Sequence, residues 1–121
     1  MIHTNDCDSD AVFAALADPT RRRLLALLQS EGELCVCELT AATGESQPKI
    51  SRHLATLKEA GLVTPRRAAV WIHYRIPAQL PSWVSAMLAA LTTAAHGPVA
   101  ELASDLARLQ TLQQRPDRCA N

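Results

Sequence analysis

Residues 44–61 read Gly44-Glu45-Ser46-Gln47-Pro48-Lys49-Ile50-Ser51-Arg52-His53-Leu54-Ala55-Thr56-Leu57-Lys58-Glu59-Ala60-Gly61. Between the two glycines lies one amphipathic helix. Ser46 or Gln47 starts it, and Pro48 is tolerated in the first turn, where a missing N–H breaks no bond. Ile50, Leu54 and Leu57 fall at i, i+4 and i+7, so they share the buried face. Gly61 stands just past the end, where a left-handed backbone is easiest without a Cβ. Upstream, a shorter helix is predicted from about Leu34 to Thr43, stopping at Gly44. Two helices joined by so few residues have helix-turn-helix spacing.

Two further helices precede this pair. Asp8 or Ser9 can cap a first one through about Ala17, with Val12, Phe13, Leu16 and Ala17 on its apolar side. Asp18-Pro19 reads as N-cap and first residue of a second, with Leu24, Leu25, Leu27 and Leu28 inward and an end near Gly32. After Gly61 come Leu62-Val63 and then Val70 to Ile76, β-branched and aromatic and bounded by prolines, which predicts two strands around Arg66 to Ala69. A helix-turn-helix followed by a basic hairpin is a winged helix, so the expected fold is mainly α with a small β-hairpin wing. From Pro81 on, Trp83, Val84, Met87, Leu88, Leu91 and Ala95 keep helical spacing to a break at Gly97-Pro98, and Val99, Leu102, Leu106, Leu109 and Leu112 resume it. These terminal helices exceed what the domain's core needs and are expected to dimerise it, which suits two half-sites about one DNA turn apart. One domain over residues 1–114 and a flexible tail over 115–121 are expected.

The 121 residues carry 12 basic and 12 acidic side chains, a net charge of zero, but the distribution is uneven. Residues 1 to 45 hold three bases against eight acids, whereas residues 46 to 76 hold Lys49, Arg52, Lys58, Arg66, Arg67 and Arg75 against Glu59 alone. A basic block of that kind is what phosphate contact requires. The apolar fraction is 48%, yet no run approaches the roughly 18 to 20 residues of a membrane span, and the acidic N-terminus is unlike a signal peptide. A cytoplasmic protein without membrane contact is expected, in which the four cysteines are thiols, ligands or redox switches rather than a disulfide framework.

Two of them, Cys35 and Cys37, lie one residue apart just upstream of the recognition helix. Thiols so close can serve one thiophilic ion, and thiolates select soft ions over hard ones. On a regular helix, residues i and i+2 point about 200° apart, so shared ligation is expected to unwind or re-aim the start of the third helix and misalign the reading head. A helix N-terminus favours the thiolate, while Glu33 and Glu38 oppose it.

The runs Leu16-Ala17-Asp18-Pro19-Thr20-Arg21, Glu33-Leu34-Cys35-Val36-Cys37-Glu38-Leu39, Ser46 to Leu54, Leu57 to Val63 and Tyr74-Arg75 together resemble the ArsR/SmtB family of metal- and metalloid-responsive repressors over nearly the whole chain. The Cys-Val-Cys box resembles the family's arsenical branch. That resemblance implies a homodimer that represses from double-stranded operator DNA, needs no cofactor to bind it, and lets go when As(III) or Sb(III) reaches Cys35 and Cys37. Cd(II)- and Pb(II)-sensing relatives share the box, and zinc sensors use Asp/His and His/Glu pairs on the last helices; His96, Glu101 and Asp105 lack that arrangement. Two departures matter. Many arsenic sensors carry a third cysteine where this chain has Thr40, and since trivalent arsenic prefers three thiolates, the third ligand falls to Cys7, to Cys119, to either from a partner subunit, or to a non-protein group. The wing lacks its usual glycine, so a longer or differently shaped tip is expected.

For DNA, Ser46, Gln47, Lys49, Ser51, Arg52 and His53 lie near the start of the recognition helix. Gln47 and Arg52 have donors for adenine and guanine edges, Ser46, Ser51 and Lys49 suit phosphates, and His53 suits packing or a phosphate. Arg66 and Arg67 would follow the wing to phosphate or minor groove. An enzyme is the distant rival, since no βαβ frame or positioned base surrounds the thiols. A Cd(II)/Pb(II)-responsive or thiol-redox-sensing regulator of the same fold is the alternative.

Overall fold

The computed structural model describes residues 7–93 and 97–113; the tail 115–121 with Cys119, and also His3, Ala95 and His96, lie outside them. The chain runs α1 (Ser9–Leu16), α2 (Pro19–Glu31), β1 (Glu33–Cys35), α3 (Val36–Thr43), α4 (Gln47–Glu59), β2 (Thr64–Ala68), β3 (Trp71–Arg75), α5 (Ser82–Ala90) and α6 (Leu102–Gln113). Asp18 caps α2 by accepting from the Arg21 N–H at 3.1 Å, ahead of Pro19. The following arginines close the end of α1, whose last carbonyls have no partner within the helix. Arg21 Nε donates to Ala15 O at 2.8 Å and Arg22 donates to Leu16 O at 2.7 Å.

α4 matches its sequence pattern. Ser46 accepts from the Lys49 N–H at 3.3 Å, and Ile50, Leu54 and Leu57 are fully buried. Its end is a Schellman turn: Gly61 has φ +81, with Leu62 N–H on Leu57 O at 2.9 Å and Gly61 N–H on Lys58 O at 3.0 Å. Gly44, at φ +76, ends α3 in the same left-handed region. The leucines of α2, α3 and α4, with Leu62, Val84 and Leu88, form one core.

Three expectations are corrected. The third helix begins at Val36, because Leu34 and Cys35 belong to a strand. The sheet therefore has three strands, ordered β1-β3-β2 and antiparallel, with Cys35 opposite His73. Three residues are too few to show a strand period, and only tertiary pairing reveals β1. The hairpin starts at Thr64, since Leu62 and Val63 are buried in the core. The wing tip is not longer but tight: Ala68 pairs with Trp71, and Ala69 takes φ 56 in place of the missing glycine.

At the chain's end two helices pack on the core. α5 stops at Ala90, with Leu88 and Leu91 buried in their own protomer. α6 packs on α3 and α2, burying Val99 and Leu109. The large apolar side chains exposed on α1 and α5 are a stacked pair, Phe13 and Trp83, with ring centroids 5.9 Å apart.

Candidate metal centre and nucleic-acid interface

Cys35 is the last residue of β1 and the N-cap of α3, with extended backbone (φ −87, ψ 168), and Cys37 stands two residues on, in the first turn. Because the pair straddles a strand-to-helix joint, the 200° separation of a regular helix does not apply. The sulfurs lie 3.5 Å apart. Two sulfurs each about 2.3 Å from a shared soft ion reach that separation at an S–ion–S angle of about 100°, so both can be ligands without unwinding α3. Two-sulfur ligation belongs to the reduced protein, in which both side chains are thiols.

Glu38 organises the joint. Its carboxylate accepts from the Cys35 N–H at 3.0 Å while the Cys35 sulfur accepts from the Glu38 N–H, a capping box with a thiol in the serine's place. Burial pushes the Cys35 thiol up, and the Glu38 charge adds to this, against backbone N–H bonds from Glu38 and Cys37. The helix terminus therefore does not win. Thr40, at the position of the family's third cysteine, donates to Cys37 O at 2.8 Å. Among the described residues no three His, Cys, Asp or Glu side chains form a cluster able to hold a metal.

On the reading side, Ser46, Gln47, Ser51 and Arg52 are exposed at the start of α4. Lys49 is half-buried and ion-paired to Glu45 at 3.0 Å. His53 faces inward: Arg21 meets its Nδ1 at 3.2 Å, and Asp18 lies 3.8 Å from Nε2. Burial, with Arg21, Lys49 and Arg52 nearby, holds the imidazole below its ordinary 6.5 against the pull of Asp18. On the wing Arg67 is exposed, whereas Arg66 reaches across the sheet to Glu33 of β1 with Nε at 2.9 Å from its carboxylate.

One pairing escaped the sequence reading. Asp105 on α6 is fully buried and receives Arg23 at 2.8 and 2.9 Å and Arg108 at 2.6 Å. Its signal was present, because Leu102, Asp105, Leu106 and Leu109 share one helical stripe, and a carboxylate inside an apolar stripe calls for a buried cation.

Residues 18–64 match a family described as "Bacterial regulatory protein, arsR family". The chain is similar to the arsenic resistance transcriptional regulator ArsR1 of Pseudomonas putida, 49% identical over 109 residues that cover 90% of this chain and 85% of that protein. Among solved structures it is similar to HlyU from Vibrio cholerae, with TM-score 0.59, 32% identity and coverage of 67% and 84% of the two chains. It is also similar to the AntR antimony-specific transcriptional repressor, with TM-score 0.55, 38% identity and coverage of 64% and 67%. Cysteine pair, helix-turn-helix and wing thus sit in a familiar frame, and the chain belongs to the ArsR family of bacterial regulatory proteins.

Proposed function

We propose that this protein is a cytoplasmic repressor that binds operator DNA as a homodimer and lets go when As(III) or Sb(III) is captured by Cys35 and Cys37. The observation that carries this is the 3.5 Å sulfur pair at the joint from which both reading elements spring. α3 leads directly to the recognition helix, and β1 pairs with β3 of the wing. An ion held by both sulfurs and drawn towards a third ligand pulls that joint and shifts wing against reader, and the DNA-bound geometry is then lost. The third ligand is Cys7, Cys119 or a non-protein group.

Gln47 and Arg52 are the base readers, with Ser46 and Ser51 on phosphates. Lys49 reaches DNA only by leaving Glu45, and Arg66 only by leaving Glu33, an exposed pair that is easily exchanged. Arg67 is the wing's standing phosphate contact, and His53 supports α4 from behind. The Phe13–Trp83 face joins the two protomers, since Leu88 and Leu91 are already committed inside one.

The test selects a binding site from random duplexes and titrates the reduced, anaerobic complex with arsenite, antimonite, cadmium and zinc, and separately with peroxide. Release by arsenite and antimonite is expected. Release by cadmium alone establishes a divalent sensor, and release by peroxide alone a redox one.

A further inference from the structure

The two carbonyls at the C-terminal end of α3 carry the negative end of that helix and have no partner within it. Arginines from elsewhere take them. Arg23 donates to Thr43 O at 2.9 Å and Arg108 to Ala42 O at 2.8 Å. Both guanidiniums also grip Asp105, which is buried between them. Arg23 continues to Glu45, 3.7 Å away in the turn, and Glu45 to Lys49 on the recognition helix at 3.0 Å. A chain of charges therefore runs from the last described helix to the reader, through the few residues that set how α4 leaves α3.

We propose that Asp105 is a positioning residue for operator recognition: by aiming Arg23 and Arg108 at the end of α3, it fixes the turn that orients the recognition helix. This rests on the repressor reading above. Asp105 touches no DNA, so its effect falls on the alignment of base contacts and not on the phosphate contacts that attract any duplex. An acidic residue on a far helix thereby sharpens specificity.

The experiment compares Asp105→Asn and the milder Arg108→Gln with wild type on the selected operator and on random duplex of equal length at one salt concentration, with circular dichroism and amide hydrogen exchange alongside. Asp105→Asn is expected to stay helical and lose about ten-fold in operator affinity with random-duplex affinity changed less than about two-fold, since alignment and phosphate attraction separate. Exchange at residues 44–49 should quicken, and Arg108→Gln should lose about three-fold on the operator. Unchanged operator affinity in folded Asp105→Asn, or equal losses on both duplexes, overturns the proposal. If Asp105→Asn does not fold, Arg108→Gln decides, and wild-type operator affinity in that variant overturns it. If wild type itself prefers no duplex, the repressor reading has failed; unaltered exchange at 44–49 in the variants then overturns the clamp as well.

Discussion

At its N-terminal end α3 is held by a three-residue strand, a thiol N-cap and one buried carboxylate, whereas at its C-terminal end two arginines, gripped by the fully buried Asp105, donate to its last carbonyls, and one of them reaches Glu45 in the turn beyond. The first end has soft, exchangeable bonds near two sulfurs. The second has short charged bonds to a fully buried carboxylate, whose partners are expensive to remove. An input at the soft end therefore moves α3 as a lever, and the stiff end conveys the movement to the recognition helix instead of absorbing it.

Stability measurements can break this comparison. Arg23→Ala leaves Asp105 buried with Arg108 alone and should destabilise the protein by about 3–5 kcal/mol in urea unfolding. Cys35→Ser keeps a good N-capping side chain at the other end, and its loss of burial should leave the change within about 1 kcal/mol. Comparable losses in the two variants would remove the stiffness contrast.

The wing sharpens the picture from the side. Ala69 holds φ 56 at the hairpin tip, a conformation that costs a non-glycine residue about 1–2 kcal/mol, partly offset by the extra freedom glycine has in the unfolded chain. Ala69→Gly should stabilise by about 0.5–1 kcal/mol, read as a raised urea midpoint at constant slope. A lowered midpoint would mean that the strain is absent.

The smallest effect is chemical. Cys35 is raised by burial and by Glu38, so its thiolate fraction grows only as pH climbs beyond the ordinary cysteine range of about 8.5. Alkylation of Cys35 in reduced protein should be slower than that of free cysteine at pH 8 and still be rising above pH 9. Glu38→Gln removes a nearby negative charge and should move the profile to lower pH; an unmoved profile would separate Glu38 from the thiol's chemistry.

The parts legible in sequence were those with local rules. Asp18-Pro19, Gly44, Ser46 and Gly61 each announce a helix boundary through capping or backbone freedom, and each stands where those rules place it. The cysteine pair was visible as a pair, but its geometry was not. Whether Cys35 starts a helix or ends a strand depends on β3, some forty residues away, and that pairing turned an expected distortion into a ready-spaced couple. Asp105 and Arg23 are likewise partners across the chain, 82 residues apart, and the fold-back of α6 that joins them has no local signature. Leu88 and Leu91 show the converse, because helical spacing identifies an apolar face without telling which surface covers it.

The central claim is that capture at the sulfur pair alone releases DNA. Operator complexes of wild type and of the Cys35→Ser/Cys37→Ser double variant, reduced and anaerobic, are titrated with arsenite while fluorescence anisotropy follows the labelled duplex. Both proteins should bind the operator with affinities within about ten-fold, since both sulfurs lie outside the recognition helix and the β2–β3 hairpin. Arsenite should release the wild type and leave the variant bound at every concentration. Release of the variant at wild-type arsenite concentrations would place the inducer site elsewhere and contradict the account.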